Sequence, residues 1–359
     1  MERFAFIIHP MEPKRDIARK YPFVKFLPDF LVEEAARRIH PKMVSHITGI
    51  KSATGAEAEG WFIGCPLTPR QLLGLPHEEV YNRLVQCGEI AADLGAKIIG
   101  LGALTSVAGD GGITIAKRLP IAVTTGNSYT VATAVEGAKR GAFLMDTPLT
   151  EATVAVVGAA GSIGQTCATL LARDVPRMVL IGRDAAKLEP IAQTLRELSP
   201  HCETTISADV ATGLRNADVI VTVTSAVDAV ILPEHLKSGA VVCDVARPRD
   251  VSVRVAKERD DVLVIEGGVV AVPGDPQFNF HFGFPERTAY ACMSETMMLA
   301  LDGRYESFTL GKTVSVAQAE ETQRLAAKHG FKLAGFRSFE KAVTEEAIAR
   351  VRKAAGRNK

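Results

Sequence analysis

Closely spaced cysteines are missing from this chain of 359 residues. The cysteines form no CxxC pair and no cluster with histidine at the spacing of zinc ligands, so we expect no structural metal site. A secretory signal is not expected either, because Glu12, Lys14 and Arg15 interrupt the early apolar run. We therefore expect a cytoplasmic protein with reduced thiols. The six cysteines stand at positions 65, 87, 167, 202, 243 and 292.

An excess of charge of one sign is also missing. The formal net charge is +1, so the bulk charge gives no reason to expect a nucleic-acid partner. The uncharged stretch from Ala152 to Ala172 approaches the length of a membrane span. Its glycines and β-rich opening instead indicate a buried strand, a turn and a helix, so we predict no transmembrane segment. The basic C-terminal residues predict a solvated helix end, with docking onto an acidic carrier protein as the alternative. They are Arg350, Arg352, Lys353, Arg357 and Lys359.

Alternating strands and helices predict an α/β fold in three parts. Residues 1–148 are predicted to form an N-terminal α/β substrate domain with some parallel pairing. Residues 149–284 are predicted to form a Rossmann-like domain with a parallel sheet. The pattern from Pro285 onward is helical, so residues 285–359 are predicted to be closing helices that pack back on the N-terminal domain. The predicted strands are 4–8, 96–101, 121–125, 153–157, 177–181, 203–206, 219–222, 240–244 and 262–266, and the predicted helices are 79–94, 126–145, 162–173, 184–198 and 233–236.

Three glycines follow the strand 153–157 at the spacing of a dinucleotide-binding turn. Gly158 permits a tight turn, Gly161 lets backbone N–H groups approach a pyrophosphate, and Gly164 lets helix and strand pack closely. The N-terminus of the following helix adds partial positive charge toward the phosphates. The strand before, the helix after and a second strand at the right distance make a ligand-free glycine turn the weaker interpretation. The predicted turn residues are Gly158, Ala159, Ala160, Gly161, Ser162, Ile163 and Gly164.

The end of the second strand of this unit predicts NADPH rather than NADH. An NAD site usually carries an acidic residue there. This chain has Arg183, which can stack on adenine and pair with a 2′-phosphate, and Lys187 follows one helical turn later. Asp184 is predicted to be the N-cap of the next helix. Later strand ends are expected to line the nicotinamide side, and their residues are Thr224, Ser225, Gly267 and Gly268.

The segment from Pro285 to Ala300 starts with a proline at a predicted helix entrance. A set of small and apolar side chains shares one face at helical spacing. On this periodicity alone, Cys292 is predicted to be a small core residue. The set is Ala289, Cys292, Met293, Thr296, Met297 and Ala300.

A group of motifs gives Cys292 a second interpretation. They are Leu101–Val107, Thr124–Thr130, Ala152–Gly158, Gly267–Val270, Pro285–Arg287 and Ala291–Glu295. In these motifs, and in their order and approximate spacing, the chain resembles the long-chain acyl-[acyl-carrier-protein] reductases of cyanobacteria. The resemblance extends over nearly the whole chain.

The resemblance implies an NADPH-dependent reductase that forms a fatty aldehyde from an acyl thioester. It implies that Cys292 takes the acyl group and that residues 1–148 receive the acyl chain. Partners would be acyl carrier protein or a coenzyme A thioester, together with an aldehyde-consuming enzyme. Magnesium dependence is implied as well, although no carboxylate cluster marks a site. His281 and Arg287 lie just upstream of the nucleophile, and we name His281 as the candidate proton-transfer group.

Two features depart from the family pattern. The stretch 272–284 differs from its counterpart, and the C-terminal tail is longer. Acyl length and carrier therefore stay open. Two other functions also stay open: a shikimate-dehydrogenase-type or glutamyl-tRNA-reductase-type NADP enzyme acting on a small molecule, and a non-catalytic protein that binds acyl groups or their carrier.

Overall fold

The computed structural model describes residues 1–11, 14, 22–281 and 285–357. The chain divides into two compact units. The first unit comprises Met1–Gly126, Ala271–Lys312 and Arg324–Lys332. The second comprises Asn127–Val270, Thr313–Gln323 and Leu333–Lys359. Lys359 of the basic tail and part of the stretch 272–284 lie outside the described residues.

The strands follow one another along the chain in the order β1 to β17. They are β1 Glu2–Ile8, β2 Lys42–Lys51, β3 Glu57–Gly64, β4 Ile98–Gly100, β5 Ala122–Thr124, β6 Thr153–Val157, β7 Arg177–Ile181, β8 Glu203–Ser207, β9 Val219–Thr222, β10 Val241–Asp244, β11 Leu263–Glu266, β12 Val269–Ala271, β13 Gly274–Gln277, β14 Thr288–Tyr290, β15 Lys332–Leu333, β16 Arg337–Ser338 and β17 Lys341–Ala342.

The α-helices of the described residues are numbered in the same way. They are α1 Asp29–Arg38, α2 Pro69–Gly74, α3 His77–Asp93, α4 Ile113–Arg118, α5 Asn127–Leu144, α6 Ser162–Leu171, α7 Ala185–Leu198, α8 Val210–Leu214, α9 Val253–Glu258, α10 Ala291–Leu301, α11 Val316–His329 and α12 Glu345–Ala354, and 3-10 turns occupy Pro22–Phe26, Ala103–Ser106 and Pro233–His235. No helix of the described part of the chain has the length and apolar character needed to cross a bilayer.

The first unit is built on a mixed sheet of strand order β13-β2-β3-β1-β4-β5. Strands β3, β1, β4 and β5 are parallel, and β2 pairs antiparallel with β3. Helix α3 packs on this sheet because Val80, Leu84, Cys87 and Ala91 recur on one side of it and are all buried. They join a core that includes Ile99 of β4. The α/β character predicted for this part of the chain is confirmed.

The second unit holds a fully parallel sheet of order β11-β10-β9-β6-β7-β8. Strand β6 is central, and the chain crosses from β8 back to β9 on its other side. Strands β6 and β9 to β11 are apolar runs buried on both faces, as expected where helices cover a parallel sheet. Crevices for ligands in such sheets lie at the carboxyl ends of the strands, where the order reverses. In this sheet that point lies between β6 and β9.

The prediction of continuous helix from Pro285 onward is wrong. Residues 285–287 form a turn in which Arg287 has φ +60°, and they lead into strand β14. Helix α10 begins only at Ala291, so Ala289 belongs to a strand and not to the predicted helical face. Short strands β15 to β17 interrupt the rest of the region. Strands of two or three residues carry too few positions for alternation to be detected.

Candidate functional site

The glycine turn after β6 has the geometry that its sequence predicts. Gly158 has φ +82°, a conformation that glycine adopts without a Cβ clash. A Cβ on Gly158 would lie 2.7 Å from the carbonyl oxygen of Val223. A Cβ on Gly164 would lie 2.4 Å from the carbonyl oxygen of Gly158, so only glycine lets helix α6 approach the turn this closely.

The tip of the turn faces solvent. Ala160 and Gly161 are exposed, whereas Ala159 is buried and donates its N–H to the carbonyl of Ile181 at 3.2 Å. Gly161 is the N-cap of α6, and Ser162 and Ile163 are its first two residues. The first N–H groups of a helix have no acceptor within the helix, so they are available to an anion. The arrangement fits the pyrophosphate of a dinucleotide.

Arg183 follows the carboxyl end of β7, Lys187 lies in the first turn of α7, and both are exposed. Asp184 accepts the N–H of Ala186 at 3.1 Å, so its prediction as the N-cap of α7 is confirmed. The Nζ of Lys187 lies 3.6 Å from the Oδ2 of Asp184. Within the part of the chain that the structure describes, Arg183 makes no ion pair, and its guanidinium is available to a phosphate.

Thr224 is held in place by a buried carboxylate that the sequence alone did not reveal. Asp250 accepts the Thr224 N–H at 2.8 Å, the Thr224 hydroxyl at 2.5 Å and the Thr222 hydroxyl at 2.6 Å. Burial raises the pKa of Asp250, against the lowering effect of these hydrogen bonds. Ser225 follows this anchored residue and is exposed.

A second buried carboxylate stands at the end of β10. Asp244 accepts the N–H of Val251 at 3.0 Å and that of Ala246 at 3.1 Å. Burial, with a smaller effect of the neighbouring Asp250, raises the pKa of Asp244 to about 6 against the lowering effect of Arg247. These carboxylates hold the loop that follows β10.

Gly267 and Gly268 connect β11 to β12. A Cβ on Gly267 would lie 2.9 Å from the Sγ of Cys243, so packing alone requires glycine there. Gly268 has φ +79° and makes the turn. All predicted dinucleotide residues thus lie at or next to the carboxyl edge of one sheet. Among the described residues no group of three histidine, cysteine, aspartate or glutamate side chains is arranged to hold a metal ion, and nothing supports magnesium.

In the first unit, Cys292 differs from the other cysteines of the chain. The other five are buried, whereas Cys292 is partly exposed. It is the second residue of α10, where the unpaired N–H groups of a helix favour a thiolate. Burial nevertheless raises the pKa of Cys292 to about 12, while the N–H groups of Met293 and Ala103 act to lower it. The resting side chain is therefore a thiol.

Two other segments of the first unit close around this thiol. A Cβ on Gly102 would lie 3.4 Å from the Cys292 Sγ, and one on Gly126 would lie 2.3 Å from its Cα. Ala103, next to Gly102, has φ +47°, a strained conformation for a residue with a Cβ. The N–H of this residue points at the thiol. The motifs that begin at Leu101 and Thr124 therefore meet the motif that contains Cys292.

Glu295 is a further residue of this site that sequence reasoning missed. It is fully buried, one helical turn after Cys292. Its Oε1 accepts the hydroxyl of Thr124 at 2.5 Å and that of Thr309 at 3.3 Å. The position of a carboxylate inside a segment rich in methionine and alanine was the signal that could have revealed it.

His281 is exposed and directly precedes residues 282–284, which lie outside the described part of the chain. The role of His281 as a proton-transfer group stays a prediction.

Comparisons with known proteins agree with the geometry of the second unit. Residues 143–266 match the shikimate/quinate 5-dehydrogenase family. The second unit is a dinucleotide-binding fold of the dehydrogenase type. The matched residues all lie within this unit, whose fold is that of NAD(P)-binding oxidoreductases.

Two relatives extend over much more of the chain. One is an aminotransferase, PigE, of a Serratia species, 32% identical over 287 residues that cover 79% of this chain and 33% of the relative. The chain thus spans about a third of that relative's length. The other is a long-chain acyl-[acyl-carrier-protein] reductase of Synechococcus elongatus, 26% identical, with 89% of this chain and 95% of the relative covered.

Solved structures give a fainter likeness. A quinate dehydrogenase of Corynebacterium glutamicum in complex with NAD is 13% identical, with 68% of this chain and 80% of that chain covered and a TM-score of 0.33. An L-tryptophan dehydrogenase of Nostoc punctiforme is 15% identical, with 74% and 69% covered and a TM-score of 0.32. TM-scores of this size give no information about function.

Proposed function

We propose that this protein reduces a long-chain acyl thioester to the fatty aldehyde with NADPH, through an acyl group carried on Cys292. The observation that supports this most is the setting of that cysteine. It alone among the six is not fully buried, it lies in the first turn of a helix, and the Ala103 N–H points at it. Helix starts and converging N–H groups are the environments that activate cysteine nucleophiles.

The acyl group would reach Cys292 by thioester exchange. The thiolate attacks the carbonyl carbon of the incoming thioester, and the carrier thiolate leaves. One thioester is replaced by another, so the step is nearly balanced in free energy. The N–H groups near the Sγ are also suited to hold negative charge that develops during the attack.

NADPH fits the second unit. The turn Gly158–Gly164 would hold its pyrophosphate, and Arg183 with Lys187 would hold the 2′-phosphate. When bound, the cofactor would supply the hydride that converts the acyl thioester to the aldehyde.

Both relatives are compatible with this chemistry. The relative from Synechococcus carries the proposed activity in its name and aligns over nearly its full length. The relative from Serratia is an aminotransferase of which this chain matches a third. An aldehyde is a carbonyl acceptor for an amino group, so an aldehyde-forming part suits such a protein. We propose acyl carrier protein or coenzyme A as the acyl carrier, and an aldehyde-consuming enzyme as a partner.

The test is intact mass spectrometry after incubation with palmitoyl thioesters, without NADPH. We expect one added acyl group on the wild-type chain and none on Cys292→Ser, because a serine hydroxyl is a far poorer nucleophile at neutral pH. Cys202→Ser changes a buried thiol of the second unit and should keep the adduct. Aldehyde formation by Cys292→Ser at a rate comparable to wild type would contradict the proposal.

A second candidate is an NADP-dependent dehydrogenase of a small hydroxy or keto acid, favoured by the family match over residues 143–266. It predicts reduction of NADP⁺ with shikimate or quinate and no acyl adduct. A non-catalytic acyl-binding protein would give neither signal. The same protein sample, tested with both substrate types, separates the three functions.

A further inference from the structure

Glu295 is a fully buried carboxylate in the helix that carries Cys292. Residues three apart on a helix lie on the same side, with Cβ atoms about 5–6 Å apart. The charge of Glu295 reaches the Cys292 thiol and acts to raise its pKa. A carboxylate loses much hydration free energy when it is buried, so its presence beside a nucleophile calls for a function.

The contacts of Glu295 connect it to the same loops that enclose the thiol. Thr124 donates its hydroxyl to Oε1 at 2.5 Å and accepts the N–H of Gly126 at 3.3 Å. Gly126 lies against the Cα of Cys292. Thr309 donates a second hydroxyl to the same oxygen. Carboxylate and thiol are therefore held within one packed assembly of the first unit.

We propose that Glu295 is the proton-transfer residue of this site: it takes the proton of the Cys292 thiol and returns it to the leaving thiolate of the acyl carrier. The inference rests on the proposed function. In the first step the S–H bond breaks and an O–H bond forms on Glu295. The thiolate then forms the new C–S bond while the carrier C–S bond breaks. Glu295 finally protonates the carrier thiolate and is a carboxylate again.

The exchange avoids a second buried charge. Before proton transfer the site holds a carboxylate and a thiol, and afterwards it holds a carboxylic acid and a thiolate. One negative charge is present in both forms, so the free-energy cost of burying that charge is similar for the two. The N–H groups of Ala103 and Met293 favour the form with the charge on sulfur. This makes a thiol with a raised pKa usable at neutral pH.

The experiment measures the rate at which iodoacetamide alkylates Cys292, from pH 6 to pH 10, in the full chain without substrate. Wild type should give a rate that is nearly independent of pH in the neutral range, because the proton moves within the pair. Glu295→Gln keeps the size of the side chain and an oxygen acceptor for both threonines. Its rate should fall by about 100-fold at pH 7 and rise about tenfold per pH unit.

A purely electrostatic or structural role gives a different result. Without the carboxylate charge the thiol pKa falls, so Glu295→Gln would then be alkylated faster at every pH, and this would overturn the proposal, as would an unchanged rate. Glu295→Asp keeps a carboxylate and should restore part of the flat profile. Circular dichroism and the Tm of each variant, compared with wild type, check that the first unit is folded. Failure of the proposed function would appear separately, as absence of an acyl adduct on wild type.

Discussion

Replacement of Gly164 by alanine tests the dinucleotide turn directly. The new Cβ would lie 2.4 Å from the Gly158 carbonyl oxygen and 3.0 Å from the Ala159 Cα. Both are backbone atoms of a turn fixed by hydrogen bonds to β7, so neither atom can move aside by a side-chain rotation. Relief to ordinary contact at about 3.5 Å requires helix α6 to move by about 1 Å.

The cost follows from this displacement. Overpacking of this kind costs about 1–3 kcal/mol, and the better helix propensity of alanine returns up to about 1 kcal/mol. We expect a net loss of about 1–2 kcal/mol, which corresponds to a fall in Tm of about 2–8 °C for a domain of this size. NADPH should bind about tenfold more weakly or worse, because the first N–H groups of α6 no longer meet the pyrophosphate.

Gly137→Ala is the matched control. Gly137 lies within helix α5 of the same unit, and its Cβ would meet the Cys243 Sγ at 3.5 Å, an ordinary contact. It should keep NADPH affinity and keep or raise Tm. Calorimetric titration with NADPH and thermal unfolding of both variants give the comparison. Wild-type affinity and Tm in Gly164→Ala, or equal losses in the two variants, would refute the assignment of the turn.

Other perturbations address cofactor choice, pH and substrate. Arg183→Ala should weaken NADPH binding about tenfold or more and leave NADH nearly unchanged, since charge-assisted hydrogen bonds contribute about 1.5–3 kcal/mol; equal losses for the two cofactors would contradict this. Asp244 has its pKa raised to about 6 in the folded state, so its contribution to stability is present below pH 4 and is lost as the pH rises through 6. The free energy of unfolding, measured with urea, should therefore rise for Asp244→Asn relative to wild type by about 3 kcal/mol between pH 4 and pH 7. A difference between the two proteins that does not change with pH would exclude this role. Activity should rise steeply with acyl length before it levels off, because each buried methylene contributes about 0.8 kcal/mol, and equal rates for acetyl and palmitoyl thioesters would refute a long-chain site.

The second unit was predictable because its local signals agree. Strand β6, the glycine turn and helix α6 each have a strong sequence pattern. Asp184 is of a residue type that commonly caps helices, so the start of α7 could be predicted as well. The carboxylate that holds Thr224 could not be predicted from the sequence. Asp250 is distant from it in sequence, and only the return of the chain after β10 brings them together.

The first unit was predicted less completely. Strand β2 was missed because its burial does not alternate regularly and its pairing with β3 is irregular at two points. Helix α10 was placed too early because Pro285 suggested a helix start, whereas the positive φ of Arg287 makes a turn there. Glu295 was missed because helical periodicity assigns a polar residue to the solvent side. Helix α10 has no solvent side, since every residue from Met293 to Leu301 is buried.

The two interpretations of Cys292, core residue and nucleophile, are not alternatives. Burial raises the pKa of Cys243 to about 12 as it does that of Cys292, so burial alone does not distinguish a reactive cysteine from an inert one. Cys243 is fully buried in mid-strand within an apolar cluster, without a helix start beside it. Cys292 has partial exposure, the Ala103 N–H and a carboxylate one turn away. Periodicity detects the burial that the two cysteines share, and only the folded chain shows the groups around Cys292 on which its proposed role as a nucleophile rests.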